Sequence, residues 1–134
     1  MAKLVMVEGI GETYAAKLIA AEVKTTDDLL EKGSTPAGRK EMAEATGISG
    51  KLILEWVNHV DLFRIKGVGE EYADLLEEAG VDTVVELAHR NPENLHTALV
   101  NVNLEKKLVR QLPSAKQVAA WVAEAKTLPR KINY

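Results

Sequence analysis

The sequence predicts an all-α chain made of two tandem copies of one helical unit. Three observations carry that expectation. Sliding the chain against itself by 58 positions brings Gly9 onto Gly67, Gly11 onto Gly69, Glu12 onto Glu70, Tyr14 onto Tyr72 and Ala15 onto Ala73. The same shift brings Leu18 onto Leu76, Ala21 onto Ala79, Val23 onto Val81, Thr25 onto Thr83 and Leu29 onto Leu87. Ten identities in twenty-one positions compare with about one or two from ordinary composition. Apolar residues also recur at helical spacing, as in Tyr14, Ala15, Leu18 and Ile19, and no segment alternates β-branched and aromatic residues with period two.

The elements of the first copy follow from capping and turn chemistry. Gly9-Ile10-Gly11 reads as a tight turn leading into a helix that starts near Glu12, with both glycines expected to serve conformations and close approaches that a Cβ would penalise. Ile10 is expected to plug the core. Thr25 followed by Asp27 and Asp28 announces a short connector helix that ends at Gly33. Pro36 opens the next helix at its first turn, and Ser49 is a good N-cap for a long helix carrying Leu52, Ile53, Trp56, Val57 and Val60. Gly47-Ile48-Ser49 reads as a second, degenerate turn.

In the second copy the plan returns with Gly67-Val68-Gly69, a connector from Thr83 to His89, Pro92 opening a helix, and Leu112-Pro113-Ser114 before a last helix with Val118, Trp121 and Val122. Past the connector the register resumes at an offset of 65, pairing Ser49 with Ser114, Lys51 with Lys116, Trp56 with Trp121 and Val57 with Val122. The second copy therefore carries seven extra residues, placed between Arg90 and Pro113. The expected units are 1–62 and 63–134.

Composition bounds the function. A hydrophobic content of 46% supplies a core, and the lack of cysteine removes disulfides, thiolate metal sites and thiol nucleophiles, which fits a reducing compartment such as the cytoplasm. The longest apolar runs, Leu4 to Val7 and Leu52 to Leu54, are far too short for a membrane span. The formal net charge of −3 argues against a general polyanion binder. Its distribution is uneven, however. Residues 1–100 carry 10 basic and 18 acidic groups, a net of −8, whereas residues 101–134 carry 7 basic and 2 acidic, a net of +5.

The spacing apolar-x-Gly-apolar-Gly-x-x-Tyr-Ala-x-x-Leu resembles the helix-hairpin-helix motif, and the hairpin-connector-hairpin unit resembles the doubled form found in many DNA repair and replication proteins. Nearly the full length, with phrases such as Ile65-Lys66-Gly67-Val68-Gly69-Glu70-Glu71-Tyr72-Ala73-Asp74-Leu75-Leu76 and Leu87-Ala88-His89-Arg90-Asn91-Pro92-Glu93-Asn94-Leu95, is similar to a bacterial family known by a domain-of-unknown-function label. The resemblance implies two tandem helix-hairpin-helix units. It implies DNA binding without sequence reading only through the wider superfamily, since the narrower family brings no biochemical activity with it.

The physics of such a grip can be stated for these residues. A glycine turn aims main-chain N–H groups and the positive end of the next helix at a phosphate, and neighbouring Lys or Arg adds counter-charge. The best candidate is Gly67, Val68 and Gly69 with Lys66 and Arg64. Gly9, Ile10 and Gly11 form the weaker one, because Glu8 stands where the second copy has Lys66. A further candidate surrounds Ser114, with Lys106, Lys107 and Arg110 before it and Lys116 after it. Glu12, Glu70 and Glu71 oppose the idea, since carboxylates in a helix's first turn complement its dipole and repel phosphate.

Other chemistry finds little support. His59, His89 and His96 have no metal-ligand spacing, the adjacent acids Asp27/Asp28 and Glu77/Glu78 diverge on a helix, and Ser34, Ser49 and Ser114 lack an activating neighbour. No enzyme, metal or cofactor is expected. Trp56 and Trp121 are expected as core anchors, and Tyr14 and Tyr72 as core residues with hydroxyls at the surface. The leading expectation is a non-catalytic module that binds DNA backbone independently of sequence. Its alternative is a protein interaction or scaffold module in which the hairpins are structural.

Overall fold

Side-chain caps decide where most helices begin. Helix α2 (Thr26–Gly33) starts with a reciprocal box, in which Asp28 N–H donates to Thr25 Oγ1 at 3.1 Å and the Asp28 carboxylate accepts from Thr25 N–H at 3.3 Å and Lys24 N–H at 3.0 Å. Thr35 caps α3 (Pro36–Thr46) through Gly38 N–H, and Pro36 sits at its first turn. The Ser49 hydroxyl accepts from Lys51 and Leu52 N–H at the start of α4 (Gly50–Leu62). Thr83 caps α6 (Val84–Ala88), Asn91 caps α7 (Pro92–Lys106), and Ser114 with Gln117 forms a second reciprocal box at α8 (Ala115–Ala125). The remaining helices, α1 (Glu12–Ala20) and α5 (Glu70–Glu78), begin at Gly11 and Gly69 without any side-chain cap.

These elements come from a computed structural model that describes residues 3–7 and 9–134; Glu8 lies outside the described residues. The fold is all-α. Among the described residues, a one-turn 3-10 helix over Leu4–Met6 precedes eight α-helices, and there is no strand beyond an isolated bridge between Lys3 and Thr25. None of the described helices is long and apolar enough to cross a membrane.

Two compact units divide the chain. One comprises Met1–Asp61 with Lys131–Tyr134, and the other Leu62–Arg130. The first buries Val7, Ile10, Leu18, Val23, Leu29, Ile53, Trp56 and Val57. In the second, α8 packs on α6 and α7, and Leu75, Leu76, Leu87, Leu95, Leu99, Val118 and Trp121 form its core. The tail is the departure from a division at residues 62 and 63. Residues 131–134 belong with the first unit, where Ile132 is buried and Asn133 N–H donates to Ser34 O at 2.8 Å.

Matching residues of the two units take matching conformations. Gly9 and Gly67 have φ of 91° and 89°, and Glu22 and Gly80 have φ of 66° and 92°. After α1, Val23 N–H returns to Leu18 O at 2.8 Å; after α5, Val81 N–H returns to Leu76 O at 2.9 Å. Tyr14 and Trp56 meet with ring centroids 5.2 Å apart and planes at 58°, and Tyr72 and Trp121 with 5.3 Å and 53°. In the second unit α7 runs for 15 residues against 11 in α3, and the connection 107–114 stands where the first unit has 47–49. Asn103 organises that connection by accepting from Val109 N–H at 3.0 Å and donating to Val109 O at 3.3 Å.

Candidate nucleic-acid interface

The turn over residues 65–69 is built by two short main-chain bonds, Ile65 N–H to Leu62 O and Val68 N–H to Ile65 O, each 3.1 Å. Ile65 and Val68 anchor it in the core, while Lys66, Gly67 and Gly69 are exposed. Gly67 needs to be glycine. Its φ of 89° lies in the left-handed region, whereas a Cβ there would meet the Trp121 indole nitrogen only at an ordinary contact distance of 3.5 Å.

Gly69 does not. It caps α5 with φ of −108° and ψ of −160°, ordinary extended backbone, and a Cβ added to it would meet nothing within 4 Å. The same holds for Gly11, which caps α1 with φ of −84° and ψ of −178° and open space around it. The expectation that both glycines of each turn serve strained backbone or close packing is therefore corrected. Only Gly9 and Gly67 carry that role. Packing glycines look different in this fold: a Cβ on Gly33 would fall 2.3 Å from Val57, and one on Gly38 would fall 1.8 Å from Lys32 O.

A glycine N-cap leaves the first-turn amides of its helix without an intrahelical acceptor and without a side chain in front of them. At α5 these are the N–H groups of Glu70, Glu71 and Tyr72, with Lys66 exposed in the preceding turn. Neither glutamate folds back to cap the helix, although both carboxylates stand in its first turn. Another carboxylate touches the turn directly, because Glu124 Oε1 accepts Lys66 N–H at 3.0 Å. Sequence reading missed Glu124, since 58 residues separate it from its partner. Arg64 is half-buried and donates through Nη2 to Pro129 O at 2.7 Å, so part of its guanidinium is already engaged.

In the first unit, Gly9, Ile10 and Gly11 form the matching turn, with Ile10 buried and Gly9 and Gly11 exposed. The Trp56 indole nitrogen would lie 3.2 Å from a Cβ on Gly9.

The basic residues of the second unit divide into engaged and available groups. Lys106 pairs with Glu78 at 2.6 Å, and its hydrogen bond to that carboxylate raises the ammonium above its ordinary pKa. Ser114 is committed to its box with Gln117, at 3.1 and 2.9 Å, which satisfies the helix start that the sequence offered to a phosphate. Lys107 ends α7 in the left-handed conformation, and Lys107, Arg110 and Lys116 are exposed. Tyr72 OH donates to Gln111 O at 3.0 Å, which ties the connection carrying Arg110 to α5 through the tyrosine side chain.

For other chemistry, the described residues form no group of three or more His, Asp or Glu fit to hold a metal. His96 Nε2 bonds Pro113 O at 3.1 Å, His89 ends α6, and His59 is buried in α4. Trp56 and Trp121 are core residues at 2% and 3% exposure, and Tyr14 and Tyr72 are half-buried.

A family model described as Domain of unknown function (DUF4332) matches residues 8–128. No solved structure matches the chain.

Proposed function

We propose that this chain, which belongs to the DUF4332 family, is a non-catalytic module that holds the phosphate backbone of DNA without reading its sequence. Under this reading the units are helix-hairpin-helix in kind and work in a reducing compartment such as the cytoplasm. One observation carries it. The N-cap glycine of α5 is required neither by its φ nor by its surroundings, yet it keeps the helix start bare. Ser, Thr, Asn or Asp would cap at least as well as glycine, and six of the eight described helices begin behind such a residue, whose side-chain oxygen accepts from their first-turn amides. Glycine at this place lets a phosphate oxygen reach the amides of Glu70 and Glu71.

Lys66 supplies the adjacent counter-charge, and Arg110 and Lys107 extend the basic ground along the neighbouring connection. The turn at Gly9–Gly11 has the same bare helix start and takes a supporting role.

A second reading, protein interaction with structural hairpins, draws on the carboxylates of Glu70 and Glu71 in α5 and of Glu124 on the turn. Fluorescence anisotropy with labelled double- and single-stranded DNA separates the two. Backbone binding weakens steeply with salt, and Lys66→Glu lowers it for every sequence alike. Flat titrations at low salt assign the chain to the second reading.

A further inference from the structure

Within the first unit, the tail is held as a bound peptide is held. Asn133 N–H donates to Ser34 O at 2.8 Å, and Asn133 O accepts from Arg39 Nη2 at 2.9 Å. Its main chain is thus read on both sides, which is how extended peptides are commonly recognised. Ile132 is buried at 3% exposure, Lys131 lies 3.6 Å from Glu31, and Tyr134 OH donates to Asn58 Oδ1 at 3.0 Å.

Arg39 shapes this groove. It is 8% exposed, and its Nη1 donates to Gly33 O at 2.7 Å, with the Tyr134 ring centroid 5.9 Å from the guanidinium carbon. All of these partners are neutral. A buried guanidinium satisfied by carbonyls loses an acceptor when the tail leaves, so the groove favours reoccupation by another extended segment. The residues leading to it, Lys126, Thr127, Pro129 and Arg130, are exposed.

We propose that the first unit carries a docking groove for an extended Ile-Asn-Tyr segment, filled in one chain by its own residues 132–134 and exchangeable for the same segment of a second copy. Exchange of this segment between copies keeps every contact while making it between chains, a low-cost route to a dimer.

Complementation between two full-length variants tests this. Ile132→Asp leaves an intact groove with an ill-fitting tail, and Arg39→Glu leaves an intact tail with a damaged groove. Sedimentation should find each variant monomeric and their mixture heterodimeric. A synthetic peptide of residues 126–134 should also bind Ile132→Asp, moving the amide resonances of Gly33, Ser34 and Arg39, and bind wild type at least about tenfold more weakly because the tethered tail competes. This second arm needs only one variant to fold. A folded Ile132→Asp that ignores the peptide overturns the groove, and loss of its helical content overturns detachability. Peptide binding with a mixture that stays monomeric, both variants being folded, overturns the second copy as occupant.

Discussion

The Trp121 indole nitrogen lies 3.5 Å from the place a Cβ on Gly67 would take, and Trp56 stands in the same relation to Gly9 at 3.2 Å. Each unit thus holds the first glycine of its turn in left-handed backbone beside a buried tryptophan and leaves the second in open space. Gly67→Ala should lower stability by about 1–2 kcal/mol, through left-handed backbone strain. Gly69→Ala should lower it by less, about 0.5 kcal/mol, since only N-cap preference changes. Urea denaturation of both variants checks the ordering.

Glu22 takes a left-handed φ of 66° at the end of α1, where its counterpart after α5 is Gly80. Its side chain is exposed, and Lys32 reaches only its carbonyl. Glu22→Gly should therefore stabilise the chain by about 0.5–1 kcal/mol by removing the Cβ penalty. A thermal melt with a higher midpoint is the expected outcome.

Asp28 is held below the ordinary carboxylate pKa, first by the N–H of Lys24 and also by that of Thr25, with burial opposing. A depressed folded-state pKa means that this stabilisation is complete above the unfolded value and fades as pH falls through the folded one. Asp28→Asn should melt below wild type at pH 7, and the gap should narrow in acid. A gap that stays constant from pH 7 to strong acid would contradict the carboxylate's role in the box.

Lys106 is tied to Glu78, whereas Lys107 and Arg110 are exposed. Neutralising Lys107 or Arg110 should weaken DNA binding for all sequences and reduce the salt slope by about one each. Lys106→Gln should change the slope less. Anisotropy at four salt concentrations measures this.

The fold was largely legible. Thr25, Pro36, Ser49, Thr83, Pro92 and Ser114 each open or cap the helix their chemistry announced, the tryptophans are buried as helical spacing requires, and Ile10 is buried from its turn. Local chemistry writes such features into adjacent residues. Contacts between remote residues leave no local pattern, so Glu124 on the Lys66 amide and Arg39 on Asn133 could not be read. The site was legible in outline only. Its glycines were visible, but which of them the backbone requires depends on φ and on neighbours that spacing does not encode.

A helix start behind Gly69 kept bare for a phosphate, as proposed, is tested most directly by Gly69→Asp. An aspartate there should cap α5 at no loss of stability while placing a carboxylate where the phosphate would sit. DNA anisotropy at low salt should show at least about tenfold weaker binding for Gly69→Asp, with melting temperature equal to or above wild type. Undiminished DNA affinity in this folded variant would contradict the account.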